Sequence, residues 1–235
     1  MVSTPSTLLP ADETARLQSL HSYAIVQSLQ EEFFDELVAL LANLFRLPIA
    51  YIGLMGADQL SYKATYGIAR QSAQPRAGAL CAQVVKYNRV VVYHDLAVAP
   101  QTSLDALAIT NSLAHRVRFY AGAPLRMPDH RTIGTLCLAG QQPREFSDAE
   151  QQLLAVVAEV VSHAIAVRSH CHNSSLGETR WLELRTQARD EVYALGALVR
   201  YLAARYGTAT PVPEEILQPV MRRLHDLRAI LQEYD

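Results

Sequence analysis

The sequence predicts an α+β fold: a central antiparallel sheet with helices, followed by an α-helical hairpin. Three observations predict it. Two pairs of apolar, β-branched and aromatic runs are each joined by a short polar turn. A long apolar helix follows the second pair, and the last quarter of the chain then changes to apolar residues at alternating three- and four-residue steps.

In chain order, residues 1–10 are expected to be a flexible N-terminus. Residues 11–46 read as helix, with Leu17, Leu20, Ile25, Leu29, Phe33, Leu37, Leu40, Leu41 and Leu44 favouring one face, until Pro48 ends it. IAYIGLMG and LSYKATYG then read as two strands across the turn ADQ. Residues 80–88 read as helix, VVVYHDL as a strand, and residues 103–115 as one or two short helices. RVRFYAGAPL and TIGTLCLAG are strands joined by RMPDHR, and Gly122 and Gly134 mark bulges or close backbone approaches. Strand alternation puts Phe119, Ala121 and Ala123 on one face and Arg118, Tyr120 and Gly122 on the other.

Ser147 followed by Glu150 predicts a capping box that opens a helix running to about Arg168. Its apolar residues cover more than half its circumference and leave a narrow polar strip of Gln152, Glu159, Ser162 and His163. A helix lying only on a sheet needs one stripe. The wider arc predicts a second apolar contact, from the N-terminal helix, a second subunit or both, with Leu153, Val157, Val160 and Ala164 at the subunit interface. Residues 169–179 read as a linker, and residues 180–235 as a helical hairpin, with YGTATPVP as its loop. Two helices alone have a thin core, so the hairpin should pack on the first domain or pair with its copy. Pro219 should kink the second helix unless that helix effectively starts there.

Composition restricts the function classes. A net charge of −2 provides no basic field for nucleic acid. The three cysteines, Cys81, Cys137 and Cys171, are widely spaced, which argues against a disulfide framework and against zinc. No basic and apolar leader opens the chain, and no uncharged run has the length of a membrane span. A cytoplasmic protein without a membrane partner is expected.

The motifs LCAQVVKYNRVVVYHDL, RFYAGAPL, TIGTLCL and PREFSDAEQQLLAVVA, in that order, give residues 11–168 a resemblance to the GAF domain family, close to bacterial sensory members; the hairpin lies outside it. The resemblance implies terminal helices on one face of the sheet, often at a dimer interface, and loops enclosing a small-molecule pocket on the other. For that pocket it suggests Tyr51, Tyr62, Cys81, His94 and Tyr120. The segments LAGQQ and HDLAVAP depart from the pattern of such domains, so contacts inferred there do not carry over.

The function expected is a sensory or regulatory module of bacterial signal transduction that binds a small ligand or a signalling protein and acts through dimeric helices. It is not expected to be an enzyme. Two further readings are a pure dimerisation scaffold, favoured if Tyr51, Tyr62 and Tyr120 fill the pocket face, and a thiol enzyme resembling the free methionine-sulfoxide reductases of the same fold. For that enzyme Cys81 matches a pocket cysteine, but its second thiol is missing, since Cys137 falls in a strand core. The cofactor is unknown. Covalent bilin is not expected because AITNSLAHRVR has no cysteine and Cys171-His172 lies in the linker, and the pattern of cyclic-nucleotide GAF domains is missing. His130 and His172 have no partners at metal-ligand spacing. HDLR, residues 225–228, resembles the start of a phospho-acceptor box but continues as AIL, and a helix with Leu224 and Leu227 inside and His225 outside accounts for it.

Overall fold

The computed structural model describes residues 8–23, 31–69, 73–102, 104–172, 177–207 and 209–232. Helix α1 (Glu13–Ser22) and helix α2 (Glu32–Phe45) precede β1 (Ile49–Met55), β2 (Gln59–Tyr66) and the short β3 (Gln74–Pro75). Then come α3 (Cys81–Tyr87), β4 (Val91–Tyr93), α4 (Ala106–Ala114), β5 (Phe119–Arg126) and β6 (Thr132–Gly140). Three long helices close the chain: α5 (Asp148–His172), α6 (Gly177–Tyr206) and α7 (Glu214–Gln232).

The expected single helix over 11–46 is two elements. Tyr23 caps α1, Glu31 enters α2 in extended backbone, and the continuation through Ile25 and Leu29 lies outside the described residues. Arg46 closes α2 in the left-handed conformation, two residues ahead of Pro48. Of the N-terminal stretch, Leu8 is not loose: it is buried in the core on the α3 side of the sheet.

The six strands pair antiparallel in the order β3-β2-β1-β6-β5-β4. Alternation sorts their side chains into two cores. Ala50, Ile52, Leu54, Phe119, Ala121, Ala123, Leu136 and Leu138 face the helical side, whereas Tyr120 and Cys137 face α3. The alternation read from RFYAGAPL holds, and the phenylalanine face is the one the long helices cover.

The helical side is two layers deep. Helices α2 and α5 lie on the sheet, and α6 and α7 lie on them. One continuous core joins Phe119 and Leu136 in the sheet to Leu153, Val157, Val160 and Ala164 in α5 and to Trp181, Leu195, Leu224 and Leu227 in the hairpin. The four α5 residues expected at a subunit interface are therefore packed inside one chain. The second apolar contact that the wide arc demanded comes from the chain's own hairpin. Among the described residues α5 is the helix with the length and apolarity of a membrane span, and most of that stretch is buried in this core.

The capping box forms as expected, with Ser147 N–H donating to Glu150 Oε2 at 2.8 Å and Glu150 N–H to Ser147 Oγ at 3.3 Å. Helix α5 continues past Arg168 to His172 and α6 begins at Gly177, so the expected linker is confined to at most the residues between them, 173–176, which lie outside the described ones. Pro219 sits inside α7, not at its start, because α7 begins at Glu214. Placed in the second turn, it removes the ladder hydrogen bond to Glu215 O and sets its ring against that carbonyl. Leu224 and Leu227 are buried and His225 is exposed, which leaves HDLR as an ordinary amphipathic segment.

Electrostatic contacts fasten the hairpin to the older layers. Trp181 Nε1 donates to Glu31 at 2.7 Å, Arg168 pairs with the same carboxylate at 2.6 Å, and Phe33 meets the Trp181 ring edge-on. Arg189 pairs with Glu36 of α2, and Arg228 with Glu159 of α5. Arg46 donates to Gly207 O at 3.0 Å. Partly exposed pairs of this kind contribute about 0.2–1 kcal/mol each, so the apolar seam carries the docking and the charges set its register.

Candidate functional site

On the opposite face of the sheet, β-sheet register aligns Tyr51 of β1, Cys137 of β6 and Gly122 of β5 in one row. Gly122 explains the composition of RFYAGAPL. A Cβ there would lie 2.5 Å from Tyr120 Oη and 2.9 Å from Val84 Cγ2. Without it, the Tyr120 side chain leans along its own strand and its hydroxyl reaches Cys137 Sγ at 3.2 Å. Gly134 is also a close approach: a Cβ there would lie 2.2 Å from Gly53 O of the paired strand.

Cys81, the first residue of α3, comes down on this row. Its sulfur lies 3.5 Å from Cys137 Sγ, with Tyr51 Oη at 3.3 Å and Tyr120 Oη at 3.5 Å. Cys137 Sγ also contacts Thr135 Oγ1 at 3.2 Å. Both cysteines are 0% exposed and Tyr120 is 2% exposed. Tyr62 stacks edge-on against Tyr51 with centroids 5.2 Å apart and donates to Gln74 Oε1 at 2.6 Å. Tyr93 donates to the buried Asp105 at 3.0 Å, which ties β4 to the start of α4.

Two buried thiols in contact cannot hold two charges, so their titrations diverge. Burial opposes ionisation of Cys81, but hydrogen bonds from Cys137, Thr135, Tyr51 and Tyr120 outweigh it and bring that thiol down to about 6. Burial and then the neighbouring Cys81 push Cys137 well above the ordinary range. Burial, followed by the charges of the two sulfurs, likewise raises Tyr51 and Tyr120. The hydroxyls therefore remain protonated donors, and the first proton to leave the pair is drawn from Cys81.

Four of the five residues expected in the pocket, Tyr51, Tyr62, Cys81 and Tyr120, come together here. His94 does not. It follows β4 on the opposite side from Tyr93, half exposed, with Nδ1 accepting from Phe146 N–H at 3.2 Å and 3.0 Å from Arg144 O. Strand alternation places Tyr93 inward and its successor outward, so His94 pins the PREFS segment away from the tyrosine–thiol cluster. Cys137, expected as an inert strand residue, is the thiol partner of Cys81. The signal was present in its parity with Tyr120 and Gly122 across a paired strand, but the approach of α3 was not legible. Asp95 forms a two-point pair with Arg118 at 2.6–2.7 Å, another contact that holds β4 against the opening of β5.

On the face expected to hold the pocket, Tyr51 and Tyr120 cover the two sulfurs. On the helical side there is a cavity of about 390 Å³ between α2 and α6 and one of about 330 Å³ beside Trp181 and Glu31. At the sheet's far end a second buried polar centre holds α1: Glu13 bridges Arg16 at 2.8 Å and Arg76 at 2.5 Å, and Arg16 also donates to Met55 O. No group of three or more His, Cys, Asp or Glu side chains able to hold a metal occurs among the described residues.

A family model for the GAF domain matches residues 30–165. A cyclic di-GMP phosphodiesterase of Pseudomonas aeruginosa is 28% identical over 136 residues, which are 57% of this chain and 22% of that protein, so the chain spans about a fifth of its relative. The GAF domain of an Acinetobacter phosphoenolpyruvate-protein phosphotransferase superposes with a TM-score of 0.50 at 17% identity, covering 68% of this chain and 98% of that one. A free methionine-R-sulfoxide reductase of Neisseria meningitidis gives 0.46 at 18% identity, over 69% and 95% of the two chains.

Proposed function

The chain belongs to the GAF domain family, and on that premise we propose that it is a non-enzymatic sensory or regulatory module of signal transduction, with the tyrosine–thiol face as its input and the docked hairpin as its output. The observation that carries this reading is the continuity of the helical core. Side chains of β5 and β6 touch α5, and α5 touches α7, within one apolar cluster. A change in strand position on the input face is felt directly in the hairpin's seat, because close-packed cores shift between discrete arrangements and do not deform smoothly. Likeness to part of a cyclic di-GMP phosphodiesterase supports a signalling setting.

The output is a protein of the same signalling chain, or a second copy, that reads the hairpin. Pairing of copies through Leu153, Val157, Val160 and Ala164 is not part of this proposal, since the hairpin already covers them. The thiol-enzyme reading gains a second thiol in Cys137. It loses ground on space, because both sulfurs lie under tyrosine rings with no exposed surface for an amino-acid substrate.

The test is hydrogen exchange on the full chain with Gly122→Ala, which presses on Tyr120 and Val84 without emptying the core. Faster exchange in α7 and around Val212 is the expected result. A change confined to α3 and β5 would show that the two faces are uncoupled and would sink the proposal.

A further inference from the structure

We propose that Cys81 and Cys137 are a redox-responsive dithiol, oxidised by hydrogen peroxide to an intramolecular disulfide beneath the tyrosines. The two sulfurs are already in van der Waals contact at 3.5 Å, about 1.5 Å from the ~2.05 Å of a disulfide. A cysteine that merely fills space sits among apolar atoms. These two instead have three hydroxyls around them, from Tyr51, Tyr120 and Thr135, which is the environment that stabilises a thiolate out of water. Cys171 has no part in it, since it lies in the helical core on the other side of the sheet.

Both sulfurs are buried, which selects a water-sized oxidant and excludes a protein disulfide as donor. In the first step the Cys81 thiolate attacks one peroxide oxygen. The O–O bond breaks, Cys81 becomes a sulfenic acid, and the departing hydroxide takes up the proton lost by the thiol to leave as water. In the second step Cys137 sulfur attacks Cys81 sulfur, the S–O bond breaks, and hydroxide leaves with the Cys137 proton as a second water. Two thiols lose two electrons and one peroxide gains them. The depressed titration of Cys81 and the raised one of Cys137 fit these roles of attacking and resolving sulfur. This inference does not depend on the hairpin being an output.

The experiment is peroxide treatment of the reduced full chain, followed by denaturing alkylation with N-ethylmaleimide, intact mass and peptide mapping. The expected result is loss of two hydrogens in a monomer, a crosslinked peptide joining Cys81 to Cys137, and alkylation surviving at Cys171 alone. With Cys137→Ala, oxidation should stop at a dimedone-reactive sulfenic acid on Cys81, while Cys171→Ala should leave the disulfide unchanged. A disulfide through Cys171, a crosslink between chains, or a folded protein whose three thiols all persist at peroxide doses that oxidise the urea-unfolded chain would each overturn the proposal.

Discussion

Glu150 of α5 accepts the backbone N–H of Val212, in the hairpin loop, at 3.1 Å. The same carboxylate, 0% exposed, caps its own helix through Ser147 and pairs with Arg144, which also donates to Phe45 O at the end of α2. One side chain therefore joins the sheet-side helices to the hairpin. Glu150→Gln keeps the shape and removes the charge, leaving a buried guanidinium without its counter-ion. Urea unfolding should show a loss of about 3 kcal/mol. A loss under about 1 kcal/mol, the usual range of a surface pair, would mean that the group is solvated and that the junction is not built this way.

Leu227 of α7 is 0% exposed within the core that also holds Phe119 of the sheet. Leu227→Ala should cost about 2–5 kcal/mol through lost burial and the cavity left behind. The sole tryptophan, Trp181, reports on the hairpin from inside the same core. Its fluorescence and the far-ultraviolet circular dichroism should move together in the variant as in the parent, because one core unfolds once. An early fluorescence transition would mean that the hairpin is a separate unit.

Burial disfavours the charged form of Glu13, but hydrogen bonds from Arg16 and Arg76 overcome it and hold the carboxyl below its ordinary value of 4.5. A depressed folded value means that the stabilisation is complete above the unfolded value and drains away as pH falls through the folded one. Below pH 4.5, α1 should loosen ahead of the long helices, which pH-resolved hydrogen exchange would detect. Glu13→Gln should remove that acid-sensitive phase, and a variant that retained it would place its origin elsewhere.

Tyr120→Phe deletes the hydroxyl shared by both sulfurs while preserving the ring that fills the face. A hydrogen bond to a charged group is worth about 1.5–3 kcal/mol, so the acid dissociation constant of Cys81 should fall at least roughly tenfold. The pH profile of peroxide oxidation, with its midpoint near the parent's value of about 6, should move upward while the melting temperature changes little. An unmoved profile would show that Tyr51 and Thr135 suffice.

The elements legible in the sequence are those set by near neighbours. Ser147 and Glu150 lie one helical turn apart, so their mutual cap could be read directly, and the two faces of RFYAGAPL follow from parity alone. The hairpin was legible from its spacing, and so was the surplus apolar arc on α5. What covers that arc was not, because an apolar face measures area without naming its occupant, and residues 153–164 meet α7 only after the chain has turned back twice. The meeting of Cys81 with Cys137 was equally invisible, since it depends on where α3 lands across a sheet and not on any local pattern. His94 stands apart from the tyrosine–thiol cluster for a smaller reason: one step past the end of β4 reverses the direction of a side chain.

The sheet's two rims, β3 and β4, are its shortest strands, of two and three residues. A rim is where a sheet offers unpaired main-chain donors and acceptors to a neighbour; β3 covers only Gln59 and Leu60 of β2, and β4 only residues 120–122 of β5, so residues 61–66 and 123–126 have no strand on their outer side among the described residues. The long strands β1 and β6 are paired on both sides along nearly their whole length. Backbone pairing between copies would therefore have to run along the outer edge of β2 or β5, and the central strands have no main chain left to offer.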